Sequence, residues 1–166
     1  MLISLDCSGG HGSRNDLVQQ QQEAWLDSYL NELNASKRGD FDWIIVFFHY
    51  PIESSGEIHE SIWTDFLGPI FTKYNISVDL FIVGHVHQYE RIYLQSAKTW
   101  CILSAGGGAE IEQWKGPNLA PGSERIELSH SFNTIEIKGL TLDMKAFYMS
   151  GVQFDELILN KTVGGI

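Results

Sequence analysis

A chain of 166 residues is long enough to bury one sizeable core and fits a single domain. Its formal charge of −10 argues against nucleic acid as a partner, because that binding depends on neutralising phosphates with Lys and Arg. No apolar run reaches the roughly 20 residues that a membrane-crossing helix requires, so no membrane partner is expected.

The chain opens MLISLDC, without a basic region or a cleavage-like site, so no secretory signal is expected. Leu2 to Asp6 is a short apolar run that reads as a strand. From Asn15 to Asn34 the apolar residues Leu17, Val18, Trp25, Leu26, Tyr29, Leu30 and Leu33 recur at helical spacing without Gly or Pro, which predicts an amphipathic helix. A polar turn follows at Lys37–Asp40. The run WIIVFF at 43–48 has the continuous apolar character of a strand covered on both faces.

Beyond Pro51, a helix is expected from about Glu60 to Tyr74, and then a second buried strand, DLFIV, at 79–83. Strand, helix and strand over this distance make a βαβ unit with parallel strands. A further strand from about Thr99 to Ser104 runs into three glycines at 106–108. Residues 109–131, with Gly116, Pro117, Pro121 and Gly122, read as an irregular surface segment. The period then changes. SFNTIEI, LTLDMKAFY and QFDELIL are short strands separated by Gly139 and Gly151, an antiparallel meander over about 132–160. The expected fold class is α/β, a mostly parallel sheet flanked by helices and closed by this meander.

Cys7 and Cys101 form no CxxC pair; they read as one disulfide or as two buried thiols, with the thiols favoured. Sequons at Asn34, Asn75 and Asn160 favour a secreted or lumenal protein.

The histidines carry the chemistry. His49 directly follows WIIVFF, and His85 and His87 directly follow DLFIV. In open α/β sheets ligands bind beyond the C-terminal ends of the strands, so two neighbouring strands deliver three imidazoles to one edge. Neutral imidazole is a common ligand for zinc and iron, and Gly84 is expected to let the backbone turn sharply before the H-x-H pair. Any one such histidine is usually a hydrogen-bonded loop residue. Three together point to a metal site of hydrolytic type. His11 and His130 have no motif around them and read as surface residues.

GHVHQYER at 84–91 resembles the last metal-binding block of purple acid phosphatases, within the calcineurin-like metallophosphoesterases. FFHYP at 47–51 resembles the block before it, and LISLD, the Gln-rich helix, the glycine loop and the closing strands resemble the flanking regions. The resemblance implies half of an α/β-β/α sandwich, a partial domain over residues 1–166. It implies that His49 and His85 bind a divalent metal and His87 a neighbouring iron, in a pair of Fe with Zn, Mn or Fe. Such a pair would activate a hydroxide that attacks a small phosphate ester, a phosphomonoester of the acid phosphatase type. His59 lies where plant members carry a histidine that protonates the leaving group, a catalytic role. Tyr89, Glu90 and Arg91 match the motif as residues that orient the histidine loop from behind. Asp79, at the opposite end of its strand, reads as structural.

The family builds its site from five blocks, of which only the last two are matched. The earlier ones supply a bridging carboxylate, a tyrosinate and an Asn ligand; GDFDW at 39–43 is no substitute, because Trp43 carries no oxygen. Two cations about 3.5–4 Å apart need anionic bridges, which three imidazoles do not supply. The missing sheet half should also leave an apolar edge uncovered. Two expectations follow: an incomplete product, or completion by a missing N-terminal half or partner chain. A non-catalytic half-domain or interaction module with a degenerate site is the alternative, and an unrelated single-metal hydrolase a third reading.

Overall fold

The computed structural model describes residues 1–6, 17–36, 41–56, 62–111 and 119–162. Six strands form one sheet: β1 (Leu2–Ser4), β2 (Ile45–Phe47), β3 (Leu80–Val83), β4 (Tyr89–Leu94), β5 (Thr99–Ser104) and β6 (Ser123–Glu127). Their order is β1-β2-β3-β5-β4-β6. The first four neighbours pair in parallel, and β4 is antiparallel to both β5 and β6. A second, antiparallel sheet holds β7 (Ser131–Lys138), β8 (Thr141–Tyr148) and β9 (Gln153–Asn160). The α/β class, the parallel 43–83 unit and the closing meander are therefore as the sequence predicts.

Alternation along the strands divides the core into two layers. Ile44, Val46, Phe48, Phe81, Val83, Cys101 and Leu103 face the helical side. There they meet Leu26 and Leu30 of α1 (Leu17–Ser36) and Phe71 of α2 (Gly68–Lys73). Helix α2 continues a π-helical stretch, Ile62–Leu67, with Pro69 in its first turn, where the missing N–H costs least. Asp27 of α1 accepts hydrogen bonds from Lys73 Nζ at 2.7 Å and the Tyr74 hydroxyl at 3.1 Å, tying the helices together.

On the other face Trp43, Ile45, Leu80, Tyr89 and Ile102 pack against Leu142, Met144, Ala146 and Leu157 of the second sheet. Polar links reinforce this layer: Trp43 Nε1 donates to the Gly139 carbonyl at 2.8 Å. Asp79 accepts from the Ile44 N–H at 2.7 Å and from Lys161 Nζ at 2.8 Å, which bears out its structural reading. Strand β1 is one edge of the six-stranded sheet, with Leu2 68% exposed.

Residues 109–131 differ from expectation. The stretch contains β6, which pairs with β4 as the opposite edge of the sheet. Its sequence, SERIE, is half-buried and polar because an edge strand has one solvated side, so no apolar run marks it. Strand β4 begins inside the motif at 84–91 and was likewise not legible as a strand. Cys101 is a free, buried thiol, whereas Cys7 and His11 lie outside the described residues.

Candidate metal centre

Strands β2 and β3 lie side by side and in parallel, so His49 and His85 emerge at one edge. Because β3 neighbours β5 and β5 neighbours β4, the link at 84–88 arches over the C-terminal end of β5. Backbone hydrogen bonds hold both feet of this arch. Gly84 N–H donates to the His49 carbonyl at 2.8 Å, and Ala105 N–H donates to the Gln88 carbonyl at 3.1 Å. Val86, only 1% exposed, plugs its underside.

The arch brings His85 Nδ1 within 3.2 Å of His49 Nε2. Their ring centroids are 5.2 Å apart, and Tyr50 packs edge-on against both, 4.9 Å from His49 and 4.6 Å from His85. Tyr50 is a member of this cluster that the sequence reading did not single out; its adjacency to His49 was the only signal. His87 Nδ1 meets the Glu110 carbonyl at 3.0 Å. A carbonyl can only accept, so Nδ1 carries a proton, which in the neutral ring leaves the lone pair on Nε2, the tautomer a metal-binding imidazole needs. Partial burial, with the neighbouring His85 and His87, lowers the His49 pKa below its ordinary value and favours the neutral, ligating form.

The sharp backbone turn falls on His85, not Gly84: His85 adopts φ 75°, a left-handed conformation rare for a residue with a side chain. Gly84 instead lies against His49, and a Cβ there would be in ordinary contact, 3.5 Å from the His49 carbonyl oxygen.

The three motif residues after the arch sort by strand alternation. Tyr89 and Arg91 point to the second sheet, where Tyr89 Oη donates to Asp155 Oδ2 at 2.6 Å and Arg91 Nε to the same atom at 2.8 Å. Arg91 also pairs with Glu124. Glu90 points the other way, into the helical side, and is fully buried. His59 lies outside the described residues. His130 is exposed, as expected of a surface residue, and its Nδ1 lies 3.2 Å from the Gly106 carbonyl.

The donor set fits part of a dinuclear centre. Nitrogen atoms of His49 and His85 converge, and His87 stands on the same arch. Among the described residues no group of three or more His, Cys, Asp or Glu closes on a common point, so neither His87 nor any carboxylate joins the His49–His85 pair there.

The family model for calcineurin-like phosphoesterases matches residues 2–89. With that match over more than half of its length, the chain is a member of the calcineurin-like phosphoesterase family. Among curated relatives it is 38% identical over 150 residues to the phosphoenolpyruvate phosphatase of Allium cepa, covering 76% of this chain and 29% of that protein. It is 34% identical over 86 residues to purple acid phosphatase 1 of Ipomoea batatas, covering 51% of this chain and 17% of that protein. The Fe(3+)-Zn(2+) purple acid phosphatase 12 of Arabidopsis thaliana is 29% identical over 92 residues, with coverage of 54% and 18%. The chain thus spans less than a third of the length of these relatives. In fold it matches GAP50, the anchor in the inner membrane complex of Plasmodium, with a TM-score of 0.76 at 22% identity, over 97% of this chain and 49% of that one.

Proposed function

We propose that this chain carries the histidine half of a phosphoester hydrolase of the acid phosphatase type, acting on small phosphomonoesters. The observation that carries the reading is the 3.2 Å approach of His49 and His85 at the ends of adjacent parallel strands, with His87 in the same arch. Membership of the phosphoesterase family and the likeness to acid phosphatases support it.

His49 and His85 would hold one cation of the pair and His87 the other; Fe with Zn, Mn or a second Fe suits imidazole ligands, and one relative is named for Fe(3+) and Zn(2+). When bound, the paired cations supply Lewis acidity to the phosphoryl group and lower the pKa of water. The chain's own residues prepare for that chemistry. The Glu110 carbonyl holds the proton of the His87 ring on Nδ1, and partial desolvation with the neighbouring imidazoles lowers the His49 pKa, which favours its neutral form. Tyr89 and Arg91 hold β4 against the second sheet and so steady one foot of the arch. His59 would protonate the leaving alkoxide. Bridging carboxylates would come from a further half-domain, in the same polypeptide or a partner. The sequons at Asn34, Asn75 and Asn160 suit a secreted or lumenal protein.

A non-catalytic role is the second reading, favoured by the lack of any carboxylate closing on the imidazoles among the described residues. Zinc titration calorimetry on the 166-residue chain and its His49→Ala and His85→Ala variants tests the metal reading, paired with hydrolysis of a chromogenic phosphomonoester. Zinc binding that either alanine abolishes supports the centre. Binding that survives both substitutions places the metal elsewhere. Turnover removed by the same substitutions supports the enzyme; metal binding without turnover supports the non-catalytic reading.

A further inference from the structure

Glu90 is a fully buried carboxylate, whereas the other described acids are exposed or half-buried. Ionised carboxylates are rarely taken out of water without a cation or a full set of donors. Here the donors are all neutral, and they come from three separate segments. Ser55 contributes its N–H at 2.9 Å and its hydroxyl at 2.6 Å. The Ser123 hydroxyl donates at 2.6 Å, and Gln88 Nε2 at 3.0 Å. The Ser55 hydroxyl oxygen in turn accepts the Ala120 N–H at 2.8 Å.

The position of these donors gives the cluster a consequence for the histidines. Ser55 belongs to the segment that leaves His49, and Glu90 to the strand that leaves His87. At the near end the same two segments are already joined, by Gly84 N–H to the His49 carbonyl. The Ser55–Glu90 bonds join them again at the far end. His49, His85 and His87 therefore sit within a ring of backbone closed at two points. Packing within the ring is tight, since a Cβ on Gly56 would fall 2.6 Å from Val86 Cγ1, under the arch.

We infer that Glu90 is a positioning residue that sets the separation of the His49 segment from the His85–His87 arch by gripping Ser55. This rests on the metal reading above for its functional meaning, though the grip itself is a property of the chain alone. A carboxylate suits the task because it accepts at both oxygens. Glutamine would turn one acceptor into a donor facing hydroxyl or amide donors. Alanine at Ser55 removes the hydroxyl's bonds to Glu90 and from Ala120 while leaving the Ser55 N–H bond to Glu90, so one tie between the segments remains.

The test is cobalt(II) titration by visible absorption, combined with amide hydrogen exchange, on the 166-residue chain and its Glu90→Gln and Ser55→Ala variants, with His85→Ala as control. Glu90→Gln is expected to weaken cobalt binding about tenfold and to alter the d–d bands, as outer-sphere changes at metal sites do. It should also speed exchange at 49–56 while β7–β9 stay protected. Ser55→Ala should move in the same direction by less, and the double variant should lose little beyond Glu90→Gln alone. Unchanged cobalt affinity, spectrum and exchange in Glu90→Gln would overturn the inference while leaving the metal reading intact. Cobalt that ignores His85→Ala, or fails to bind the parent chain, counts against the metal reading instead. The exchange rates at 49–56 then decide the Glu90 inference on their own. If Glu90→Gln fails to fold, Ser55→Ala decides: parental exchange and affinity there overturn it.

Discussion

The Tyr89 hydroxyl and the Asp155 carboxylate, 66 positions apart in sequence, meet at 2.6 Å between the two sheets. Arg91 joins them from the same face of β4, so one carboxylate oxygen accepts from both. Arg91 and Asp155 side chains keep only 13% and 10% of their surface exposed, so the pair is poorly screened by solvent. Removing one partner of such a pair strands the other. Asp155→Asn should cost about 3 kcal/mol and Tyr89→Phe about 1 kcal/mol. Urea unfolding checks this: the midpoint should fall in that order with the slope unchanged.

Acid should act on the same contact. Burial opposes the charge on Asp155, but Arg91 and Tyr89 outweigh it and hold the carboxyl below its ordinary value of 3.8. The folded state therefore binds this proton less readily than the unfolded state, and the stabilisation is present above about pH 4 and lost as pH falls through the depressed value. In Asp155→Asn that part of the acid limb should be missing. An unchanged acid limb in thermal melts between pH 2.5 and 5 would contradict the assignment.

Leu142, Met144 and Ala146 are each fully buried where the second sheet packs on the first. Leu142→Ala should destabilise the chain by about 2–5 kcal/mol, the range for a buried leucine whose site does not collapse. Differential scanning calorimetry should show one transition at lower temperature. Two separated transitions would mean that the sheets do not unfold as a unit.

His49 favours its neutral form because of partial desolvation and its neighbouring imidazoles. Its folded pKa lies below the ordinary 6.5, so this contribution to stability is present above about pH 6.5 and lost as pH falls through the lower folded value. Metal binding needs the same neutral ring, so zinc affinity should fall as the solution is acidified below about pH 6.5. Calorimetry in buffers of different ionisation heat should detect proton release on binding, growing at lower pH. Affinity flat from pH 5 to 8 would argue against imidazole ligands.

Burial, with the charges of Glu90 and Glu53 adding to it, pushes the Cys101 thiol up and out of reach of the thiolate form. In a Cys7→Ser background, Cys101 should resist iodoacetamide in the native state and react fully in denaturant. Fast native labelling would mean that the β5 layer opens far more readily than its packing implies.

Sequence periodicity carried most of this architecture. WIIVFF and DLFIV announce themselves as covered strands, and the three histidines at their ends mark the candidate site before any coordinates. Strands β4 and β6 escaped because neither has an apolar run: YERIYL hides two charged residues inside paired interactions, and SERIE is an edge. The partners of Glu90 and Asp155 were illegible for a different reason. Ser55, Ser123 and Asp155 are separated from β4 by tens of residues, and no local pattern marks a serine or an aspartate as the recipient of a long-range bond. The turn at His85 was misplaced onto Gly84 because glycine is the residue that ordinarily takes a left-handed conformation.

The arch over β5, tied at Gly84 and again at Gln88, also bears on how a ligand's binding free energy is divided. A loop that must be ordered by its ligand gives up part of the affinity to lost conformational freedom. This one has its backbone bonds in place beforehand, so the entropy of ordering is largely spent during folding. Ion capture here should bring little further ordering of the backbone at 84–88. The fold thus moves the cost of assembling the histidine edge from the moment of binding to the formation of the sheet itself.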